Sequence, residues 1–197
     1  EGRGSRGRRR RGRCQGSWDD CAEHTRAYVC LLHGSSDHFF VYALVVGHCL
    51  KRLCQKDADR VLLCAGRWWH DRAARAALER VYTTVRKVSL IHAPNATSVP
   101  RHAEVFSKIW ALQLPHQQIV FLDTDLVVCA DLSPLFDVSA PAGLHHGDST
   151  HELVHGELIQ ADKEAWWCVN AGVMRLDPDA TRNARKKNVA AMVREIR

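Results

Sequence analysis

Gln118-Ile-Val-Phe-Leu122 carries no polar residue after its first position, and it runs straight into Asp123-Thr124-Asp125. Apolar, β-branched and aromatic residues without alternation predict a short strand buried on both faces. The carboxyl end of such a strand lies at the sheet edge where α/β proteins hold their ligands. Two carboxylates placed there would repel, and one would take up a proton unless a cation stood beside them. In extended chain, residues i and i+2 point to one side, so Asp123 and Asp125 are expected to share a face. Hard carboxylate oxygens suit Mn²⁺ or Mg²⁺, which complete their shells with water and phosphate. The expectation is a metal–diphosphate site. The plainer reading is a loop that caps a following helix over 130–137, with Ser133 at its N-cap and Pro134 as its first residue.

Upstream, strand and helix patterns alternate. Strands are predicted over 26–32, 60–65 and 87–91, and helices over 39–53, 71–85 and 104–114. The second helix carries one apolar stripe of Ala74, Ala77, Leu78, Val81, Tyr82 and Val85. Alternation of this kind predicts a three-layer α/β/α domain with a mostly parallel sheet. Downstream, the histidine-rich segment 144–156 reads as a flexible loop. His151 and His155 within it have the i, i+4 spacing that can hold a metal on a helix, but the two flanking glycines and few apolar residues favour the loop. Asn170-Ala171-Gly172 follows. An amide offers donor and acceptor together, which suits sugar hydroxyls, and glycine lets backbone come close. A turn between two strands is the plainer reading of those three residues. A basic helix over 179–197 ends the chain.

The chain has 197 residues, of which 46% are hydrophobic, enough for one domain with a core. Its net charge of +6 is uneven, because seven arginines fall within the first thirteen residues. That run, interleaved with glycine and serine, predicts a disordered tail or linker over 1–25 and a domain over 26–197. Without aromatics among the arginines, no specific nucleic-acid partner is expected. No window reaches the roughly 20 apolar residues of a membrane span; the longest, 39–50, contains His48. Eight cysteines are scattered with no C-x-x-C, so no cysteine zinc or redox motif is present. They read as reduced thiols of a cytoplasmic protein. A chain that opens on Glu1 reads as a fragment, and an anchor upstream of it would imply the Golgi instead. Only there would the sequon Asn95-Ala96-Thr97 carry glycan.

Phe121-Leu-Asp-Thr-Asp-Leu-Val-Val128, followed by Asp131-Leu-Ser-Pro-Leu-Phe136, resembles the DxD block of the glycogenin-like glycosyltransferases of family 8. Trp167-Cys-Val-Asn-Ala-Gly-Val-Met-Arg-Leu-Asp-Pro178 resembles the family's F-N-S/A-G-V block and its proline-started helix. Ala27-Tyr-Val-Cys-Leu-Leu32 and Tyr42-Ala-Leu-Val-Val-Gly-His-Cys-Leu-Lys51 are similar to its first strand and first helix. The resemblance implies a GT-A fold and retaining transfer of a hexosyl group from a UDP-sugar, UDP-glucose foremost, to a glycan, polyol or protein hydroxyl. It implies Mn²⁺ or Mg²⁺ on Asp123 and Asp125, with Thr124 between them on the donor side. Leu31, Leu32 and His33 would hold the uridine, while Asn170, Ala171 and Gly172 would orient the sugar. Phe106-Ser-Lys108 is similar to the family's T-K-L segment, whose lysine faces the donor; Arg101 is a second candidate cation. The histidine loop over 144–156 would lie on the acceptor side. A later D-x-x-x-x-N/D-Q block and a histidine metal ligand belong to the family's pattern beyond the point matched by Arg197. The expectation is therefore a donor-binding half, slow or inactive alone.

Two alternatives stay open at this stage. Asp123-Thr-Asp-Leu-Val127 also fits the D-x-D-x-[T/V] pattern of haloacid-dehalogenase-like phosphatases, although three strand–helix units precede it here. A fragment that binds nucleotide and turns nothing over is the other. Tyr28, Tyr42 and Tyr82 are all expected on core faces, so none is nominated as a self-glucosylation site.

Overall fold

The apolar runs that predict buried strands form the middle of one sheet. The computed structural model describes residues 17–18, 22–54, 57–92, 104–145, 158–160 and 169–196. Its strands are β1 (Arg26–Leu32), β2 (Ala58–Cys64), β3 (Thr84–Lys87), β4 (Gln118–Leu122), β5 (Ala142–His145), β6 (Leu158–Gln160) and β7 (Val169–Leu176). They lie in the order β3-β2-β1-β4-β7-β5-β6. The first four run parallel, with Cys30 level with Leu122 and Leu62. The β4–β7, β7–β5 and β5–β6 pairs are antiparallel.

Because side chains alternate along a strand, β1 supplies two cores. Tyr28, Cys30 and Leu32 meet Ala43, Val46 and Leu50 of α1 (Asp37–Leu53), with Trp68 of α2 (Arg67–His70) and Leu78 of α3 (Arg72–Leu78). Ala27, Val29 and Leu31 face the other way, onto Ala111 and Leu114 around a 3-10 helix over Val105–Gln113. Against that helix packs α4 (Arg182–Ile196). Helices thus cover both faces, and the fold is the three-layer α/β/α arrangement expected. α1 starts where Ser36 accepts a hydrogen bond from the amide of His38, and Lys51 and Arg52 complement the negative end of its dipole.

Four expectations are corrected. The helix over 71–85 ends at Leu78 and β3 begins at Thr84, three residues before the predicted strand. Thr83 explains the shift: its amide and hydroxyl donate to Arg60 O and its hydroxyl accepts from Arg60 N, which draws this β-branched segment into the sheet. The segment 104–114 is a 3-10 rather than an α-helix. Residues 144–145 belong to β5, so the histidine loop does not begin at Leu144. Ser133 is the first residue of the 3-10 turn over Ser133–Asp137 and Leu132 stands at its cap; Asp131 accepts from Ser133 N at 3.0 Å and from its hydroxyl.

Packing also begins before Arg26, upstream of the expected boundary. Trp18 stacks on Trp110 with centroids 6.3 Å apart, under the Arg86 guanidinium at 4.6 Å. Thr25 O accepts from Gln117 N and Gln118 N. The arginine run, Arg101, the sequon, His151 and His155 lie outside the described residues.

Candidate functional site

β4 ends at Leu122 and hands the chain to Asp123 at the carboxyl edge of the parallel strands. Thr124 and Asp125 then turn instead of continuing extended, so the two-residue side-chain period does not carry past the strand. Asp123 is partly buried, Thr124 is buried and Asp125 is exposed. The Asp123 amide donates to Gly172 O at 2.8 Å, tying the end of β4 to β7.

A three-residue turn explains how Lys108 reaches that edge. Residues three apart eclipse in a 3-10 helix, so Lys108, Ala111 and Leu114 line one side. Ala111 and Leu114 anchor that side in the core. The Lys108 stem lies near the Phe121 ring, with Nζ 5.5 Å from its centroid. Its ammonium stands 2.7 Å from Asp123 Oδ1 and 2.9 Å from Oδ2, and donates to Ala171 O at 3.0 Å. The Lys108 side chain is only 12% exposed and that of Asp123 31%. Lysine, aspartate and the Asn170–Gly172 segment, far apart in sequence, meet here.

That third segment is not a turn. Asn170, Ala171 and Gly172 lie inside β7, where the pairing with β5 jumps from Gly143–Met174 to Leu144–Asn170. Residues 171–173 therefore have no β5 partner, a bulge that re-aims backbone groups. Ala171 O is the carbonyl taken by Lys108, while Gly172 O extends the β4–β7 ladder by accepting from the Asp123 amide. Asn170 Oδ1 accepts from Gly172 N at 2.8 Å. A Cβ on Gly172 would stand 2.9 Å from that oxygen and 3.4 Å from Asp123 Oδ2, so glycine is what lets the strand approach the carboxylate.

On the neighbouring strand, the register that sets Cys30 beside Leu122 brings His33 to the same edge. Leu31 and Leu32 do not present side chains there, because each is buried in one of the two cores. Of the three expected uridine contacts, only His33 offers a side chain. Its Nδ1 lies 3.3 Å from Glu104 Oε2, and His92 Nδ1 lies 3.8 Å from Oε1 of the same carboxylate. The His33 ring stacks on Phe39, with centroids 6.2 Å apart. Gly34 then turns the chain at φ 82, and its carbonyl accepts from Trp68 Nε1. Sequence reasoning missed Glu104 and His92, because only the fold brings 33, 92 and 104 together. It also placed Tyr42 on a core face, whereas α1 exposes it.

No family model matches the sequence. Among curated proteins, uncharacterized protein R707 of Acanthamoeba polyphaga mimivirus is 26% identical over 163 residues, covering 78% of this chain. The chain spans 55% of that relative's length. Among solved structures, the apo form of the bifunctional glycosyltransferase WbbM matches 91% of this chain at a TM-score of 0.52 and 16% identity. The fold is that of a GT-A glycosyltransferase. The match covers 35% of WbbM. GlyE of Streptococcus pneumoniae TIGR4 gives a TM-score of 0.49 at 16% identity, over 87% of this chain and 37% of its own. Mouse xyloside xylosyltransferase 1, in its apo form, gives 0.49 at 15% identity, over 85% and 71%. Among the described residues, no helix is long and apolar enough to cross a membrane.

Proposed function

We propose that this chain is the donor-binding part of a retaining glycosyltransferase that moves a hexosyl group from a UDP-sugar to an acceptor hydroxyl. The observation that carries the reading is the meeting of Asp123, Lys108 and the bulged Asn170–Gly172 segment at the carboxyl edge of β4. A diphosphate leaving group needs positive charge beside it. A sugar needs paired donors and acceptors close to the backbone. Both are present within one edge of the sheet, together with the His33–Glu104 pair one strand away.

The residues fit a hard divalent cation. Asp125 is exposed and makes no hydrogen bond or ion pair among the described residues. Asp123 shares its oxygens with an ammonium on a flexible stem. Asp123 and Asp125 would hold Mn²⁺ or Mg²⁺, which when bound supplies Lewis-acid stabilisation of the departing UDP. Lys108 holds the Asp123 carboxylate in place and adds its own charge beside the phosphates. Asn170 orients the sugar, and its position is fixed by the Gly172 amide. His33, held by Glu104, borders the base.

The topology gives no support to the haloacid-dehalogenase-like alternative, because β1, β2 and β3 precede the aspartate in sequence. The test is calorimetric titration of UDP, with and without Mn²⁺, into wild type and Asp125→Ala. Binding should need Mn²⁺ and weaken in the variant. Equal affinity in all four conditions would overturn the metal assignment. Release of UDP from UDP-sugars, against hydrolysis of p-nitrophenyl phosphate, separates transferase from phosphatase.

A further inference from the structure

The amino-terminal edge of the parallel strands, opposite Asp123, carries a second group of polar side chains that sugar transfer does not use. Asp59, the second residue of β2, is 1% exposed. Its Oδ2 accepts from the amides of Glu23 at 2.9 Å and His24 at 3.0 Å, and His116 Nε2 lies 2.9 Å away. Its Oδ1 has no hydrogen-bond partner among the described residues. A buried carboxylate with one oxygen idle is costly unless a partner meets that oxygen.

The loop that satisfies Oδ2 also brings two more donors. Ligand atoms of Glu23, His24 and Asp59 lie within 4.8 Å of one another. An open cleft beside them is lined by Glu23, His24 and Asp57, giving an ion a path from solvent. The cation of that cleft, Arg26, is engaged elsewhere: Nε donates to Gln118 Oε1 at 2.8 Å, and the guanidinium lies over Phe136. Negative charge is therefore left in excess. One imidazole nitrogen and two carboxylate oxygens make a donor set for a borderline divalent ion, with water in a fourth position.

We propose that Glu23, His24 and Asp59 form a zinc site that pins the segment entering β1 to the start of β2. The idle Oδ1 is the atom Asp59 has to give. Glu23 and His24 close on the ion by side-chain rotation, since neither is buried. His116 is a positioning residue, whose hydrogen bond to Oδ2 fixes the carboxylate in the way outer-shell partners orient metal ligands.

The test uses the full chain stripped with chelator and titrated with Zn²⁺, and with Co²⁺ for its visible spectrum. Glu23→Gln/His24→Gln keeps both backbone amides that hold Asp59, and should fold. Wild type and Asp125→Asn should both bind Zn²⁺ and gain in thermal midpoint. The double variant should bind at least about tenfold more weakly, without that gain and with unchanged UDP binding. Co²⁺ in wild type should give the bands of a four-coordinate nitrogen–oxygen site. The proposal is overturned if wild type takes up no zinc, or if the double variant binds as wild type does. Loss of all binding in Asp125→Asn, or a thiolate-to-cobalt charge-transfer band, would also overturn it.

Discussion

The ammonium of Lys108 lies within 2.9 Å of both carboxylate oxygens of Asp123, so the first aspartate of the motif already has a counter-ion. The repulsion that two neighbouring carboxylates would otherwise suffer is thereby relieved before any metal arrives. Asp125, exposed and unpaired among the described residues, is the open half of the pair. The two aspartates are chemically unequal: one is held, the other is available.

Lys108→Met removes that counter-ion while keeping the stem. A charged hydrogen bond contributes about 1.5–3 kcal/mol to stability where both partners are desolvated. Asp123 is about one-third exposed, so we expect the low end of that range in urea unfolding. UDP binding in Mn²⁺ should weaken, whereas Mn²⁺ alone should bind no worse, because a competitor for Asp123 has gone. A double-mutant cycle with Asp123→Asn should show coupling. Additive effects within about 0.5 kcal/mol would show that the pair contributes nothing.

Gly172→Ala asks whether the close approach of β7 matters to the site more than to the fold. The new Cβ meets Asn170 Oδ1, the movable end of a side chain, so the cost in stability should stay below about 1 kcal/mol. Asn170 must swing away and lose the Gly172 amide. Donor affinity should fall several-fold with the unfolding midpoint almost unchanged. A loss confined to stability would mean that Asn170 has no part in binding.

How much of this was legible in the sequence follows from which forces act locally. β1 and β4 were read to the residue, because strands buried on both faces must be apolar throughout. The α3–β3 boundary was not, since Thr83 joins the sheet through bonds to Arg60, twenty-three residues away. Lys108, Asp123 and Asn170–Gly172 were all singled out. Their mutual contact rests on the backbone carbonyls of Ala171 and Gly172, which no side-chain pattern encodes. The Glu23–His24–Asp59 group left no motif, for its members come from a loop and from the edge of β2.

Gly47 tests the packing of α1 against the segment after α3. A Cβ there would lie 2.7 Å from Tyr82 Cε2 and 2.8 Å from Val81 Cγ2. Alanine favours a helix over glycine by about 1 kcal/mol. Overpacking costs about 1–3 kcal/mol, and displacing Tyr82 also strains its hydroxyl's bond to Ala43 O at 2.7 Å. Gly47→Ala should therefore lower stability by about 1–2 kcal/mol. A stabilised variant in urea unfolding would mean that this contact relaxes freely.

Thiol reactivity reports the same core from outside. Cys30 and Cys64 are fully buried, and burial pushes both thiols up to about 12. Only the thiolate attacks an alkylating reagent, so both are doubly protected, by access and by protonation. Cys129 is exposed, with only a long contact from Sγ to Val127 O at 3.6 Å. Iodoacetamide at neutral pH should label Cys129 in the native protein, and reach Cys30 and Cys64 only as the chain unfolds. Because both sit in interior strands of the sheet and are fully buried, their labelling should follow the global urea transition. Peptide mapping by mass spectrometry reads the order. Labelling of Cys30 at the rate of Cys129 below that transition would show that the β1 core opens on its own.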